Sequence, residues 1–349
     1  MEDIGAIIAA AAAAGASDVH LVCGLPPKYR LSGDLTDMRP EPLTHDQCED
    51  YARQLAKERY EDVFNIGELD LADSYDDVRV RVNIFRQQGH VSAAVRILSD
   101  RIPDVHALGL PPAVLTLPAL HSGIVLITGE TGSGKSTTLA AMLDDVNHTR
   151  TDHIITLEDP IEYIYTPDKC VINQREIGKD TKSYADGLRA VLREDPDVIL
   201  IGEMRDLNTM ETALTAAETG HLVFSTLHTN SAADSIDRIV NVFPEGQQKQ
   251  IAMQLSMTLK AVISQQLVKK TGGGRVLACE VMMVNDAIRN LIREGKTPQI
   301  NNVLSTSAQE GSITMDNMLL GLYKAKKVEA ATAMEAARNP AYIRKNTYY

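Results

Sequence analysis

Gly129-Glu130-Thr131-Gly132-Ser133-Gly134-Lys135-Ser136 follows the apolar run Ile124 to Thr128. The stretch fits the pattern G-x-x-x-x-G-K-[ST], which binds phosphate when a strand precedes it and a helix follows. Glycines let backbone N–H groups wrap phosphate oxygens, Lys135 neutralises the β and γ oxygens, and Ser136 offers its hydroxyl to Mg²⁺. Gly129, Thr131, Gly132, Ser133, Gly134, Lys135, Ser136 and Thr137 are therefore expected to hold a nucleoside triphosphate. The competing reading is a glycine-rich surface turn with a stray lysine. It leaves the strand-like run before the loop unexplained.

Three more polar motifs sit just past apolar, strand-like runs. Glu158-Asp159 follows Ile154 to Leu157, Glu203 follows Val198 to Ile201 through Gly202, and His228 follows Leu222 to Leu227. Alternating strands and helices indicate an α/β fold with a largely parallel sheet covered on both faces. If these four strands are parallel, all four motifs emerge along the carboxyl edge, where open α/β sheets bind ligands. Phosphoryl transfer to water needs a metal, positive charge on the γ-phosphate and a group that orients the attacking water. Glu203 is the candidate for the last task. Gly202 takes the place of the usual metal-side aspartate, so Mg²⁺ would depend mainly on Ser136, the phosphates and water. Pro160 fixes the turn after Glu158-Asp159, a pair that fits either a site or simple turn chemistry. His228 either reads the γ-phosphate through a ring N–H or caps the next turn.

Outward toward the N-terminus, Ile102-Pro103, Leu110-Pro111-Pro112 and Leu117-Pro118 mark a linker over 101–118, between a domain at 1–100 and one at 119–349. The first region is mixed α/β. Ile4 to Ala14 reads as a helix ended by Gly15, and Thr44 with Gln47 forms a capping box that starts a helix through about Tyr60. Val78 to Ile84 alternates as a half-buried strand, with a second strand in Val91 to Leu98. Arg79 and Arg81 share a strand face and Arg96 lies one strand later, either a solvated sheet face or an arginine finger. Near the other end, Ala287, Ile288, Leu291 and Ile292 recur at helical spacing, the pattern of an amphipathic helix.

Composition bounds the function classes. The chain has 349 residues, 44% hydrophobic and 23% charged, enough for two domains with cores. With 47 acidic against 35 basic residues, the net charge of −12 argues against a chain dedicated to nucleic acid. Cys23, Cys48, Cys170 and Cys279 are scattered without a C-x-x-C pair, which indicates neither a zinc site nor a disulfide framework. The apolar N-terminal run is too short to span a bilayer and lacks a basic leader, so a cytoplasmic protein is expected.

Gly129 to Ser136, Ile154-Ile155-Thr156-Leu157-Glu158-Asp159-Pro160-Ile161-Glu162, Glu194-Asp195-Pro196-Asp197 through Gly202-Glu203-Met204-Arg205-Asp206, and Ser225-Thr226-Leu227-His228-Thr229-Asn230 resemble four boxes of the type II/IV secretion ATPases. In order these are the Walker A, Asp box, Walker B and His box. Within that superfamily the chain is most similar to the twitching-motility retraction ATPases, over nearly its whole length. Ala16-Ser17-Asp18-Val19-His20-Leu21 with Gly24-Leu25-Pro26-Pro27 resembles their opening segment, and Ala287 to Glu294 their C-terminal retraction signature.

The resemblance implies a PAS-like N-terminal domain, a RecA-like P-loop ATPase domain with a helical C-terminal end, and a homo-hexameric ring. It implies ATP and Mg²⁺ as cofactors, with Glu203 the catalytic base and Glu158 and Glu162 acids near metal and water. Ser136 would bind Mg²⁺ directly, and Glu158 and Glu203 through water. His228 would contact the γ-phosphate, and Arg81 and Arg96 match arginines that reach the nucleotide. The implied activity is ATP hydrolysis driving pilus retraction, through an inner-membrane platform protein at the cytoplasmic face of the pilus base. Glu130 departs from the family, which commonly has proline there. An accessory retraction paralogue stays open. Assembly and secretion ATPases of the superfamily usually carry a tetracysteine insertion and a long N-terminal region that this chain lacks, and a nucleic-acid translocase lacks support in the charge.

Overall fold

A computed structural model describes residues 3–31, 33–98 and 101–347. It divides into two compact units, Met1–Arg101 with Pro160–Ile164, and Ile102–Asp159 with Tyr165–Tyr349. The expected domain boundary at residue 100 lies outside the described residues.

In the first unit, helix α1 (Ile4–Ala13) buries Ile4, Ile7, Ile8 and Ala11, the one-face spacing of an amphipathic helix. The Asp3 side chain caps its first turn by accepting from the Gly5 N–H. Six antiparallel strands follow: β1 (Asp18–Leu21), β2 (Lys28–Leu31), β3 (Asp34–Asp37), β4 (Glu68–Tyr75), β5 (Val78–Gln87) and β6 (His90–Ile97). Their order in the sheet is β3-β2-β1-β6-β5-β4. Helix α2 (His45–Ala56) opens with the Thr44/Gln47 capping box, both hydrogen bonds being formed. It does not continue to Tyr60 as expected. Lys57 has φ +52°, a short 3-10 turn covers Lys57–Arg59, and α3 (Tyr60–Ile66) starts afresh. The break turns Tyr60 and Val63 into the same core as Tyr51 and Leu55. Val80, Val82 and Ile84 of β5 alternate into that core while Arg79 and Arg81 take the other face.

The second unit is built on seven strands: β7 (Gly123–Thr128), β8 (His153–Glu158), β9 (Val171–Glu176), β10 (Val198–Ile201), β11 (Leu222–Leu227), β12 (Leu259–Lys269) and β13 (Arg275–Met283). Their order is β13-β12-β7-β11-β10-β8-β9. All neighbours are parallel except the β12–β13 pair. Every residue of β7, β10 and β11 is buried, the near-continuous apolar run of a sheet covered on both faces. Helices α4 (Lys135–Thr149), α5 (Tyr184–Val191), α6 (Leu207–Glu218), α7 (Ala232–Asn241) and α8 (Glu245–Thr258) connect the parallel strands. A helical end follows, with α9 (Asp286–Arg293), α10 (Ile300–Thr306), α11 (Met315–Lys324), α12 (Ala330–Ala336) and α13 (Pro340–Thr347). The fold is thus an α/β chain whose N-terminal mixed domain precedes a RecA-like one.

The proline-marked segment is not loose. From Ile102 onward it belongs to the second unit, with Val105, Val114 and Leu117 buried. The Arg150 guanidinium at the end of α4 donates to the Pro118 carbonyl at 2.8 Å. In α9 the stripe is narrower than its sequence pattern: Ile288 and Ile292 are buried, Leu291 is half-buried and Ala287 is exposed. Among the described residues no helix is long and apolar enough to cross a membrane.

Candidate active site

Parallel pairing brings the ends of β7, β8, β10 and β11 to one edge, as their sequence neighbours require. In register, Leu157 of β8 pairs with Ile201 of β10, Ile201 with Ser225 of β11, and Leu227 with Thr128 of β7. The Walker A loop, Glu158, Glu203 and His228 therefore leave adjacent strand ends, where open α/β sheets place their ligands.

The loop from Gly129 to Gly134 runs from β7 into the N-terminus of α4, whose unpaired N–H groups and dipole favour anions. Gly129 has φ +139°, and a Cβ there would lie 2.3 Å from the Gln265 carbonyl oxygen and 2.7 Å from Ser133 Oγ. No side chain fits, because β12 passes directly beneath the loop. Lys135 Nζ donates to the carbonyls of Gly129 at 2.7 Å and Glu130 at 2.9 Å. Ser136 and Thr137 stand in the first turn of α4. Glu130, the departure from the family, uses its backbone: its carbonyl accepts from Lys135 and from the Ser133 N–H, and its carboxylate meets Asn230 Nδ2 only at 3.5 Å.

The acids are held on both sides. Glu158 Oε1 accepts from Thr156 Oγ1 at 2.6 Å and from Gln174 Nε2 at 3.3 Å. Past β10, the Gly202 N–H donates to the Leu157 carbonyl and Thr226 Oγ1 donates to the Gly202 carbonyl at 2.6 Å. These bonds pin the backbone that carries Glu203. Glu203 Oε1 pairs with the Arg205 guanidinium, and its side chain is 13% exposed. His228 Nε2 lies 3.2 Å from Glu203 Oε2, a buried oxygen that has no hydrogen-bond partner. A buried carboxylate oxygen with a free lone pair is suited to accept a proton from water.

Not every expected site residue falls in this unit. Glu162 lies within Pro160–Ile164, which groups with the first unit, as do Arg81 and Arg96. Those two arginines face each other across β5 and β6, and each is ion-paired, Arg81 with Asp70 and Arg96 with Asp18 at 3.1 Å. Arg79 donates instead to the Ile161 carbonyl at 2.9 Å.

Other contributors gave no motif. Gln265 of β12 exchanges hydrogen bonds with Thr138 of α4, Nε2 to Oγ1 at 2.9 Å, and so ties the loop's helix to the sheet. Tyr184 opens α5 beside the acids. Burial is the main cause that pushes its hydroxyl pKa up, with Asp159, Glu203 and Glu158 adding to it. A cavity of about 380 Å³ flanks the loop, lined by Glu130, Thr131, Gln265, Arg275 and Arg338 among others. Arg338 bonds the Asn230 carbonyl at 2.7 Å and pairs at 2.8 Å with Glu280, whose side chain is 2% exposed. Removing that guanidinium by Arg338→Ala leaves a buried charge and is expected to cost about 3 kcal/mol, the lower end for a broken buried pair. Urea unfolding of Arg338→Ala checks it, and adding Glu280→Gln should recover most of the loss. Sequence reading could not find these residues because they reach the site from distant elements.

The residues present fit nucleotide and Mg²⁺. Among the described residues no group of three or more His, Cys, Asp or Glu could hold a metal ion. One hydroxyl at Ser136, with phosphate and water oxygens, is the hard, incomplete donor set that Mg²⁺ accepts.

Comparison with known proteins agrees with this geometry. The family model of the type II/IV secretion system proteins matches residues 65–308. The type IV pilus retraction ATPase PilT of Pseudomonas aeruginosa is 45% identical over 97% of this chain and 99% of its own. A twitching motility protein of Neisseria gonorrhoeae is 42% identical over 90% of this chain and 84% of its own. The crystal structure of the pilus retraction motor PilT with bound ADP superimposes with a TM-score of 0.90 at 47% identity, covering 99% of this chain and 100% of that one. The phosphate loop, the acids on one sheet edge and these full-length matches together place this nucleotide-binding chain in the type II/IV secretion ATPase family.

Proposed function

We propose that the chain is a motor ATPase that retracts type IV pili. The observation that carries the hydrolytic part is the buried, unbonded Oε2 of Glu203 on the same sheet edge as the phosphate loop. Retraction is supported by near full-length similarity to proteins named for it. ATP enters with its phosphates on the N–H groups of the loop, and Lys135 turns from the loop carbonyls to the β and γ oxygens. Ser136, with Glu158 and Glu203 acting through water, would hold Mg²⁺, which would supply charge compensation at the phosphates. Glu203 orients and deprotonates the attacking water, and His228 donates to the γ-phosphate. Glu162 acts beside Glu158. Arg81 and Arg96 release their carboxylate partners and neutralise the γ-phosphate.

In this reading six copies form a ring at the cytoplasmic face of the inner membrane and act on a platform protein at the pilus base. The domain at 1–100 and the ATPase domain at 119–349 are its moving parts. The test compares surface pili and twitching in cells lacking the gene with cells carrying Glu203→Gln. Abundant pili without movement are expected in both. Bare cells would instead make the chain an assembly motor, and unchanged cells would remove it from the main retraction step.

A further inference from the structure

The segment from His228 to Ala232 joins β11 to α7, and its backbone is gripped by two side chains from elsewhere in the chain. The Asn230 carbonyl accepts from Arg338 Nη2 at 2.7 Å, and the Ala232 N–H donates to Glu280 Oε1 at 3.1 Å. Arg338 Nη1 and Glu280 Oε2 close the circuit at 2.8 Å. Within the segment, the Thr229 and Ser235 hydroxyls hydrogen-bond each other at 2.7 Å, and Ser231 caps α7 by accepting from the Asp234 N–H.

Each member of the circuit is held in place. Glu280 of β13 is 2% exposed, so its charge is balanced by the guanidinium and by the positive end of α7 rather than by water. The Ala232 N–H is one of the donors that a helix start leaves without an internal partner. Arg338 is anchored through its backbone, whose N–H donates to Asp316 Oδ1 at 2.8 Å, and two residues earlier the Ala336 carbonyl accepts from Gln266 Nε2 of β12 at 3.0 Å. The guanidinium therefore reaches the segment from a fixed point on the C-terminal helical end. The His228 side chain is 52% exposed, so burial does little to place it, and the backbone just beyond it carries that task.

Resting on the ATPase reading above, we propose that Arg338 is a positioning residue of the hydrolytic site: its planar fork, braced by Glu280, clamps the segment after His228 to the C-terminal helical end and so sets where the imidazole stands against Glu203 and the γ-phosphate.

Arg338→Ala is expected to lower kcat about tenfold, since a misplacement of about 1 Å can cost 10²-fold, while KM for ATP stays within about twofold. The loss comes through His228, so in the His228→Ala chain the same change should alter kcat by less than about twofold. Arg338→Ala combined with Glu280→Gln separates position from stability. The double change leaves no buried charge unpaired and should recover most of the resistance to urea, yet the Asn230 carbonyl stays ungripped and kcat should stay low. A kcat that returns together with stability would make Arg338 a structural residue only and overturns the proposal. So does an unchanged kcat in Arg338→Ala, a rise in KM alone, or the same proportional loss in the His228→Ala chain. Wild type no more active than Glu203→Gln would instead sink the ATPase reading, which separates the two failures.

Discussion

Glu203→Gln is expected to lower ATP turnover by about 10²–10⁴-fold, the range for removing a positioned general base, while nucleotide affinity should stay within a few-fold. Glutamine keeps the size of the side chain and can still hydrogen-bond to Arg205 through its carbonyl, but it cannot take a proton from water. The backbone on either side is held by the Gly202 N–H on Leu157 and the Thr226 hydroxyl on Gly202, so the neighbourhood should survive the change. Phosphate release under saturating ATP, with binding of a fluorescent analogue alongside, measures both quantities. If turnover falls by less than about fivefold, the base lies elsewhere; Glu158 would be next, although its Oε1 already accepts two hydrogen bonds.

A second large effect is expected at Lys135. Lys135→Ala removes the charge proposed to meet the β and γ oxygens, and lost hydrogen bonds to a charged group of about 1.5–3 kcal/mol would correspond to roughly 10–100-fold weaker ATP binding. Turnover should fall at least as far, because the γ-phosphate carries growing charge to the leaving side during transfer. The same ammonium satisfies the carbonyls of Gly129 and Glu130, so a modest loss of stability should accompany the change. Comparing affinities for ATP and AMP separates the two roles. ATP affinity should collapse toward that of AMP. If both nucleotides weaken equally, Lys135 serves only to close the loop.

Much of this was written locally. The Walker A loop was legible because phosphate binding needs consecutive residues: glycine where β12 leaves no room at 129, a lysine and a hydroxyl on the first turn of α4. The parallel sheet was legible in the near-continuous apolar runs of β7, β10 and β11, since strands covered on both faces avoid alternation. The Thr44 and Gln47 cap was equally local, and both of its hydrogen bonds form. The far end of that helix was not. Nothing between Ala56 and Tyr60 forbids a continuing helix, and the left-handed turn at Lys57 exists because Tyr60 and Val63 must reach a core formed by β4 and β5.

The arginines show a similar division. Alternation along β5 puts Arg79 and Arg81 on one face, yet their partners come from other segments: Ile161 for Arg79, Asp70 for Arg81, and Asp18 for Arg96. Tyr184, Gln265 and Arg338 carry no motif at all. Short-range chemistry, meaning loop conformation, caps and strand hydrophobicity, is encoded in neighbouring residues, and so the phosphate loop and the sheet could be read from the chain alone. The environment of Gly202 and Glu203 depends on groups from β8, β11 and α5 that meet only once the sheet order is set. An orphaned carboxylate oxygen and a tyrosine filling the space at Gly202 are properties of that packing, because burial and hydrogen-bond geometry have no representation in the order of residues.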